Sequence, residues 1–165
     1  MGVKLFYTMR REGNVNYNNS TGATQTTPQS ARTSGSAPTL QKDLPWVLVV
    51  EDNRLNSELV KIYLKAFCNM DFARTGEAAV EMAAQKQYAA IVMDINLGPG
   101  MDGIQATRAI RMFHGYTETP IIAVTGYTME SDKEQILASG CSHYVPKPID
   151  KCGFTSLMQS LLEKK

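Results

Sequence analysis

Five polar residues follow short apolar runs in this chain, and their types could do phosphoryl chemistry. Glu51 and Asp52 follow "VLVV", Asp94 follows "AIVM", Thr125 and then Gly126 follow "IIAV", and Lys147 follows "HYVP". Taken singly, each has an ordinary explanation. An acid after a strand is most often a solvated loop residue or a helix cap, a Thr there is β-prone, and a Lys before a Pro is a surface charge. Taken together they are more informative, because four of the runs each deliver polar groups to the same kind of place. Three carboxylates brought close raise one another's pKa, and a cation relieves that. Mg²⁺ suits such a set, since it takes one or two carboxylates, waters and a phosphate oxygen rather than a full protein cage. An ammonium and a hydroxyl nearby would complete a cradle for a phosphoryl group, whose transfer needs chiefly positioning and charge neutralisation. A carboxylate can itself accept that group. Asp94 is the best candidate, since its strand lies between those of the acid pair and Thr125.

The elements that must position these residues can be read from the periodicity. Apolar runs at 46–50, 70–73, 89–93, 120–124 and 143–145 alternate with helical patterns. The first helix has an apolar face of Leu55, Leu59 and Ile62, continued one turn round by Val60, Leu64 and Phe67. An alanine-rich helix over 77–86, one from Gly103 to about Phe113, and one from about Asp132 to Ala138 follow. Phe154, Leu157, Met158, Leu161 and Leu162 mark the last helix. Asn53, Thr75, Asp102 with Gln105, Ser131 with Glu134, and Asp150 are candidate N-caps, and Gly140 suits a helix end. Five strands alternating with five helices predict an α/β fold, doubly wound, with a parallel sheet covered by helices on both faces. The 70–73 strand is short and polar, so it belongs at an edge. In such sheets the ligand site lies beyond the carboxyl ends of the strands, where the five polar residues fall.

The bulk composition bounds the alternatives. The net charge of the 165-residue chain is +1, which gives no electrostatic case for nucleic acid or an anionic membrane. No apolar stretch has the length of a membrane span, and no secretory signal is visible. Cys68, Cys141 and Cys152 are odd in number and widely spaced, which fits reduced thiols and a cytoplasmic location better than disulfides or a zinc site. Residues 13–44 are dominated by Asn, Ser, Thr, Gln and Gly, and read as a polar, disordered linker. Residues 1–12 contain one alternating, aromatic-rich segment, "GVKLFYTMR", which reads as a stray strand needing a partner. The folded domain spans 45–165.

With these residues in place, the motifs "VVEDN", "IVMDIN", "MDG", "AVTG" and "YVPKPID" resemble, in order and spacing, the receiver domain of two-component response regulators. The resemblance implies a flavodoxin-like sheet of order 2-1-3-4-5. It implies that Asp94 is the phosphoacceptor, and that Mg²⁺ is held by Asp52, by Glu51 largely through water, by Asp94 and by the backbone carbonyl of Asn96. Lys147, Thr125 and Gly126 would contact the phosphoryl group. Thr125 and Tyr144 would act as the switch pair, and the Lys147–Pro148 peptide would be cis. The implied function is a phosphorelay switch rather than an enzyme, one that catalyses only its own phosphorylation and dephosphorylation. The donor would be a phosphohistidine on a histidine kinase or histidine phosphotransfer domain, and the output would be a change in the face formed by the fourth helix, fifth strand and fifth helix. A downstream protein would read that face. The style of "VEDN" and "VPKPID" is most like the C-terminal receiver of a hybrid histidine kinase, and "GVKLFYTM" resembles the last strand of a kinase ATP-binding domain; a free single-domain receiver with a natural tail is the other reading. The alternative is a small phosphohydrolase working through an aspartyl-phosphate. One departure stands out: the segment after the acceptor, "DINLGPGMDG", is one residue longer than the family's usual D-x-x-M-P-x-M-D-G. The extra residue is expected to bulge outward at the rim of the site.

Overall fold

The computed structural model describes residues 44–126 and 130–163; the expected stray strand at 1–12 and nearly all of the expected linker at 13–44 lie outside them. In chain order the elements are β1 (Trp46–Val50), α1 (Arg54–Leu64), β2 (Asn69–Ala73), α2 (Gly76–Gln85), β3 (Ala90–Asp94), α3 (Gly103–Arg111), a short 3₁₀ turn (His114–Tyr116), β4 (Ile121–Thr125), α4 (Glu130–Ala138), β5 (His143–Pro146) and α5 (Lys151–Leu162). The strands form one parallel sheet in the order β2-β1-β3-β4-β5. The polar strand is at an edge, and the fully buried strands β3 and β4 are interior.

Alternation along the strands divides the core in two. Leu48, Val50, Ile91, Met93, Ile121 and Ala123 face one side, where Ala79 and Ala83 of α2, Ala106 and Ile110 of α3, and Ile136 of α4 cover them. Val47, Val49, Val92, Ile122, Val124 and Val145 face the other, against Val60 and Leu64 of α1 and Phe154 and Met158 of α5. Each fully buried Val, Leu or Ile contributes about 1.5–3 kcal/mol relative to an exposed one. This two-sided burial therefore fixes the strand register, and with it the line along which the strand ends present their polar residues.

Asn53, Thr75, Asp102 and Asp150 cap their helices, and the Asp102–Gln105 pair forms a reciprocal capping box. Gly140 ends α4 with φ +108°. Two expectations need correction. Ser131 is not an N-cap by position, because α4 begins one residue earlier, at Glu130. The apolar face assigned to α1 merges two stripes. Val60 and Leu64 are buried, whereas Leu55 is 80 % and Ile62 58 % exposed. A helix with apolar residues on two sides can bury only the side that meets the sheet. Several boundaries also move by a residue, and two of these matter for the site: Asp94 and Thr125 are the last residues of their strands rather than the first of the following loops. All three cysteines are free thiols, and burial pushes the Cys68 thiol up to about 11. Among the described residues, no helix is long and apolar enough to cross a membrane.

Candidate functional site

The parallel register carries the ends of β1, β3, β4 and β5 to one edge of the sheet. There one oxygen from each of Glu51, Asp52 and Asp94 lies within 4.8 Å of the others. Asp94 is 3 % and Glu51 6 % exposed, while Asp52 is exposed. Lys147 enters from the end of β5. Its Nζ donates to Asp94 Oδ2 at 2.7 Å and to Glu51 Oε2 at 2.9 Å, so a single ammonium bridges the two buried acids. The backbone brings it there: the Lys147 N–H donates to the Thr125 carbonyl at 2.8 Å, joining the ends of β4 and β5, and the Lys147–Pro148 peptide is cis.

The remaining oxygens are held as well. Asp94 Oδ1 accepts the Asn96 N–H at 3.0 Å. Glu51 Oε1 accepts the Asn53 N–H at 3.1 Å and the Asn56 side-chain amide at 3.0 Å. Burial raises the Asp94 pKa and the Glu51 charge adds to this, partly opposed by the Lys147 hydrogen bond. Burial works against the Lys147 ammonium, but its bonds to Asp94 and Glu51 outweigh that and raise its pKa. Three carboxyl groups thus gather around one ammonium at this edge, more acids than that single cation can pair.

Thr125 is fully buried and Gly126 is exposed; a Cβ at Gly126 would meet nothing within 4 Å, so the space there is open. Tyr144 is half-buried on β5, opposite Ala123 in register, and packs on the same core cluster as Ala123 and Ile136. Strand alternation therefore puts Thr125 and Tyr144 on one face of the sheet.

Two supporting residues were not singled out from sequence. Asn56 orients Glu51 from the first turn of α1, and no sequence signal marks it. Gly103 opens α3 against the end of β3, where a Cβ would collide with the Asp94 carbonyl oxygen. The "DG" at the start of that helix is the available hint. On the longer loop, a Cβ at Gly98 would stand 3.4 Å from Oδ2 of the exposed Asp52, an ordinary contact distance, so the loop passes beside that acid.

The trio passes a fit test for Mg²⁺. Oxygens around an octahedral Mg²⁺ at about 2.1 Å lie roughly 3–4 Å apart. Carboxylate oxygens within 4.8 Å of one another need only a small closure to reach that.

A 2-1-3-4-5 parallel sheet with its polar groups gathered at the carboxyl edge is the architecture of the receivers of two-component signalling. Residues 47–159 match the family model of the response regulator receiver domain, and the chain belongs to that family. It is 38 % identical over 106 residues to the signal transduction histidine-protein kinase BarA of Escherichia coli K12, a match covering 64 % of this chain but only 11 % of BarA. It is 33 % identical over 117 residues to the polar-differentiation response regulator DivK of Brucella ovis, covering 70 % of this chain and 94 % of DivK. Among solved structures it resembles the receiver domain of the sensor histidine kinase PA1611 from Pseudomonas aeruginosa PAO1, with TM-score 0.68, 31 % identity, and coverage of 73 % of this chain and 99 % of that one. That structure has a magnesium ion coordinated in its active-site cleft.

Proposed function

We propose that residues 45–165 act as a phosphoacceptor switch in which Asp94 takes a phosphoryl group from a phosphohistidine. The donor sits on a histidine kinase or a histidine phosphotransfer domain. The observation that carries the reading is the bridging of Asp94 and Glu51 by Lys147 beside the exposed Asp52. In the transfer the phosphorus–nitrogen bond to the donor imidazole breaks as a bond from an Asp94 carboxylate oxygen forms, and the freed imidazole takes up a proton. Lys147 is within reach of both the acceptor oxygen and the incoming group, and so offsets charge on either side of the transfer. Gly126 leaves room for the phosphoryl oxygens and Thr125 supplies a hydroxyl at the same edge.

Glu51, Asp52, Asp94 and the Asn96 carbonyl would hold Mg²⁺. When bound, the ion neutralises charge on the acids and the phosphoryl oxygens. Both Glu51 oxygens already accept hydrogen bonds, which favours a contact through water. Asp52 is exposed, which favours a direct one.

Phosphorylation adds about −1.5 to −2 of charge, which redistributes Lys147 and Thr125 at the edge. Tyr144 shares the sheet face with Thr125, and so links the site to the α4–β5–α5 surface that a downstream protein would read. The donor would meet α1, whose exposed Leu55 and Ile62 leave apolar surface directly after the acid pair. The rival aspartyl-phosphate phosphohydrolase needs an acid–base group two residues past the nucleophile. Asn96 stands there, and its amide cannot hold or release a proton at neutral pH.

The test is incubation with Mg²⁺ and a small phosphodonor, followed by intact mass measurement. The wild type gains one phosphoryl group and Asp94→Asn gains none. Equal gain by both would sink the assignment of Asp94, and multiple-turnover release of phosphate from general phosphoesters would favour the hydrolase.

A further inference from the structure

Besides the capping box at Asp102, the segment 96–102, which contains the extra residue, is fastened at three places. At its start the Asn96 N–H is held by Asp94 Oδ1, and at its end the Gly103 N–H donates to the Ile95 carbonyl at 3.1 Å, closing the loop on its own base. The third fastening comes from a different element. The Met101 N–H donates to Glu77 Oε1 at 2.7 Å, in the first turn of α2. Backbone contact surrounds this bond. A Cβ at Gly76 would stand 2.5 Å from the Met101 carbonyl oxygen. Gly100 takes φ +112°, a left-handed conformation that brings it against the Glu77 carboxylate. The Glu77 carboxyl is held below the usual range by its own backbone N–H and by that of Met101. Between these ends the loop passes Asp52, which Gly98 approaches.

We infer that Glu77 is a positioning residue for the acid site, holding the β3–α3 loop from α2 so that the loop lies against Asp52 and presents the Asn96 backbone. This rests on the Mg²⁺-dependent reading proposed above. Glu77 touches none of the reacting groups. What it supplies is an acceptor oxygen at a fixed place, which a glutamine carbonyl can also supply. Without it the outer half of the loop loses its only hydrogen bond to α2 among the described residues. The loop then spends part of its time displaced, and a ligand that needs the ordered form binds more weakly by that fraction.

The experiment compares the wild type, Glu77→Ala and Glu77→Gln in the full chain. Mg²⁺ is titrated calorimetrically, hydrogen exchange is followed at the Met101 amide, and phosphoryl gain is measured by intact mass. Glu77→Ala should weaken Mg²⁺ about three- to tenfold, as loss of one hydrogen bond of ordinary net strength does, and should speed exchange at Met101. Glu77→Gln should stay within about twofold of the wild type in both. If Gln weakens Mg²⁺ as much as Ala does, the effect is one of charge and the positioning role is overturned. If Ala lowers the melting temperature while Mg²⁺ affinity is unchanged, Glu77 serves only α2, and the role is again overturned. A wild type that binds no Mg²⁺ overturns it too. A wild type that binds Mg²⁺ with these differences but never gains a phosphoryl group would sink the acceptor reading and leave the positioning role standing.

Discussion

Replacing Asp94 by Asn should make the metal-free protein more stable, although it removes the acceptor. At an effective dielectric constant of about 20, two like charges no more than 4.8 Å apart repel by at least about 3.5 kcal/mol, which applies to the buried pair Asp94 and Glu51. Exposed Asp52 is screened toward the water limit, so at the same distance it adds only about 0.9 kcal/mol. Lys147 at 2.7 Å returns about 6 kcal/mol. Desolvating a carboxylate that is almost wholly buried costs several kcal/mol more. The ionised form is then disfavoured by about 2–3 kcal/mol, which agrees in sign with the raised Asp94 pKa. Asn cannot accept both bonds that Asp94 accepts, which removes about 1 kcal/mol. A net gain of about 1–2 kcal/mol remains for Asp94→Asn in urea unfolding at pH 7 with chelator. The pH dependence has a definite sign. A carboxylate raised in the folded state contributes its full stability below the unfolded value and loses it as pH rises through the folded value. The gap should therefore open with rising pH above the ordinary carboxylate range and vanish below it, where the wild-type acid is protonated. Excess Mg²⁺ should narrow the gap by stabilising the wild type more. A variant less stable than the wild type in chelator at pH 7 would refute the reasoning.

Three further outcomes follow from named contacts. Lys147→Met strips the ammonium from two buried acids, and should cost about 2–3 kcal/mol at pH 7, below the range for a fully buried pair because Lys147 is partly exposed to water; urea melts that superimpose on the wild type would contradict it. Asp102→Ala removes the capping box of α3, and thermal melts should show a loss of about 1 kcal/mol. Gly103→Ala drives a Cβ into the Asp94 carbonyl, so a loss of about 2 kcal/mol or more is expected, together with weakened Mg²⁺ binding by calorimetry.

The site-bearing strands and their polar ends were legible because β1, β3, β4 and β5 are short apolar runs each followed closely by a charged or hydroxyl residue. Parallel pairing then leaves one edge for all of them. The edge place of β2 was legible from its polarity. The packed side of α1 was not: Leu55–Leu59–Ile62 and Val60–Leu64 are both apolar stripes at helical spacing, and only docking on Val47 and Val49 selects the second. The start of α4 was placed two residues late because Ser131 and Glu134 imitate a cap. Asn56 and Glu77 were invisible as site residues for a different reason. Glu77 acts through a hydrogen bond to Met101, 24 positions away and brought near only by the fold, whereas Asn56 lies just five positions from Glu51 but carries no pattern that marks its amide as that acid's partner. The role of the longer loop was posed by the sequence as an extra residue, but its contacts with α2 and Asp52 exist only once the sheet has formed.

Reductive trapping tests the central claim most directly. The protein is phosphorylated with Mg²⁺ and a small phosphodonor, treated with borohydride, and mapped by peptide mass spectrometry. An acyl phosphate is reduced to an alcohol, so an aspartyl-phosphate becomes homoserine. The account predicts homoserine at position 94 and at no other acid of the site. An unreduced Asp94 in a protein that has gained phosphoryl mass, or homoserine at Asp52 or elsewhere, would contradict it.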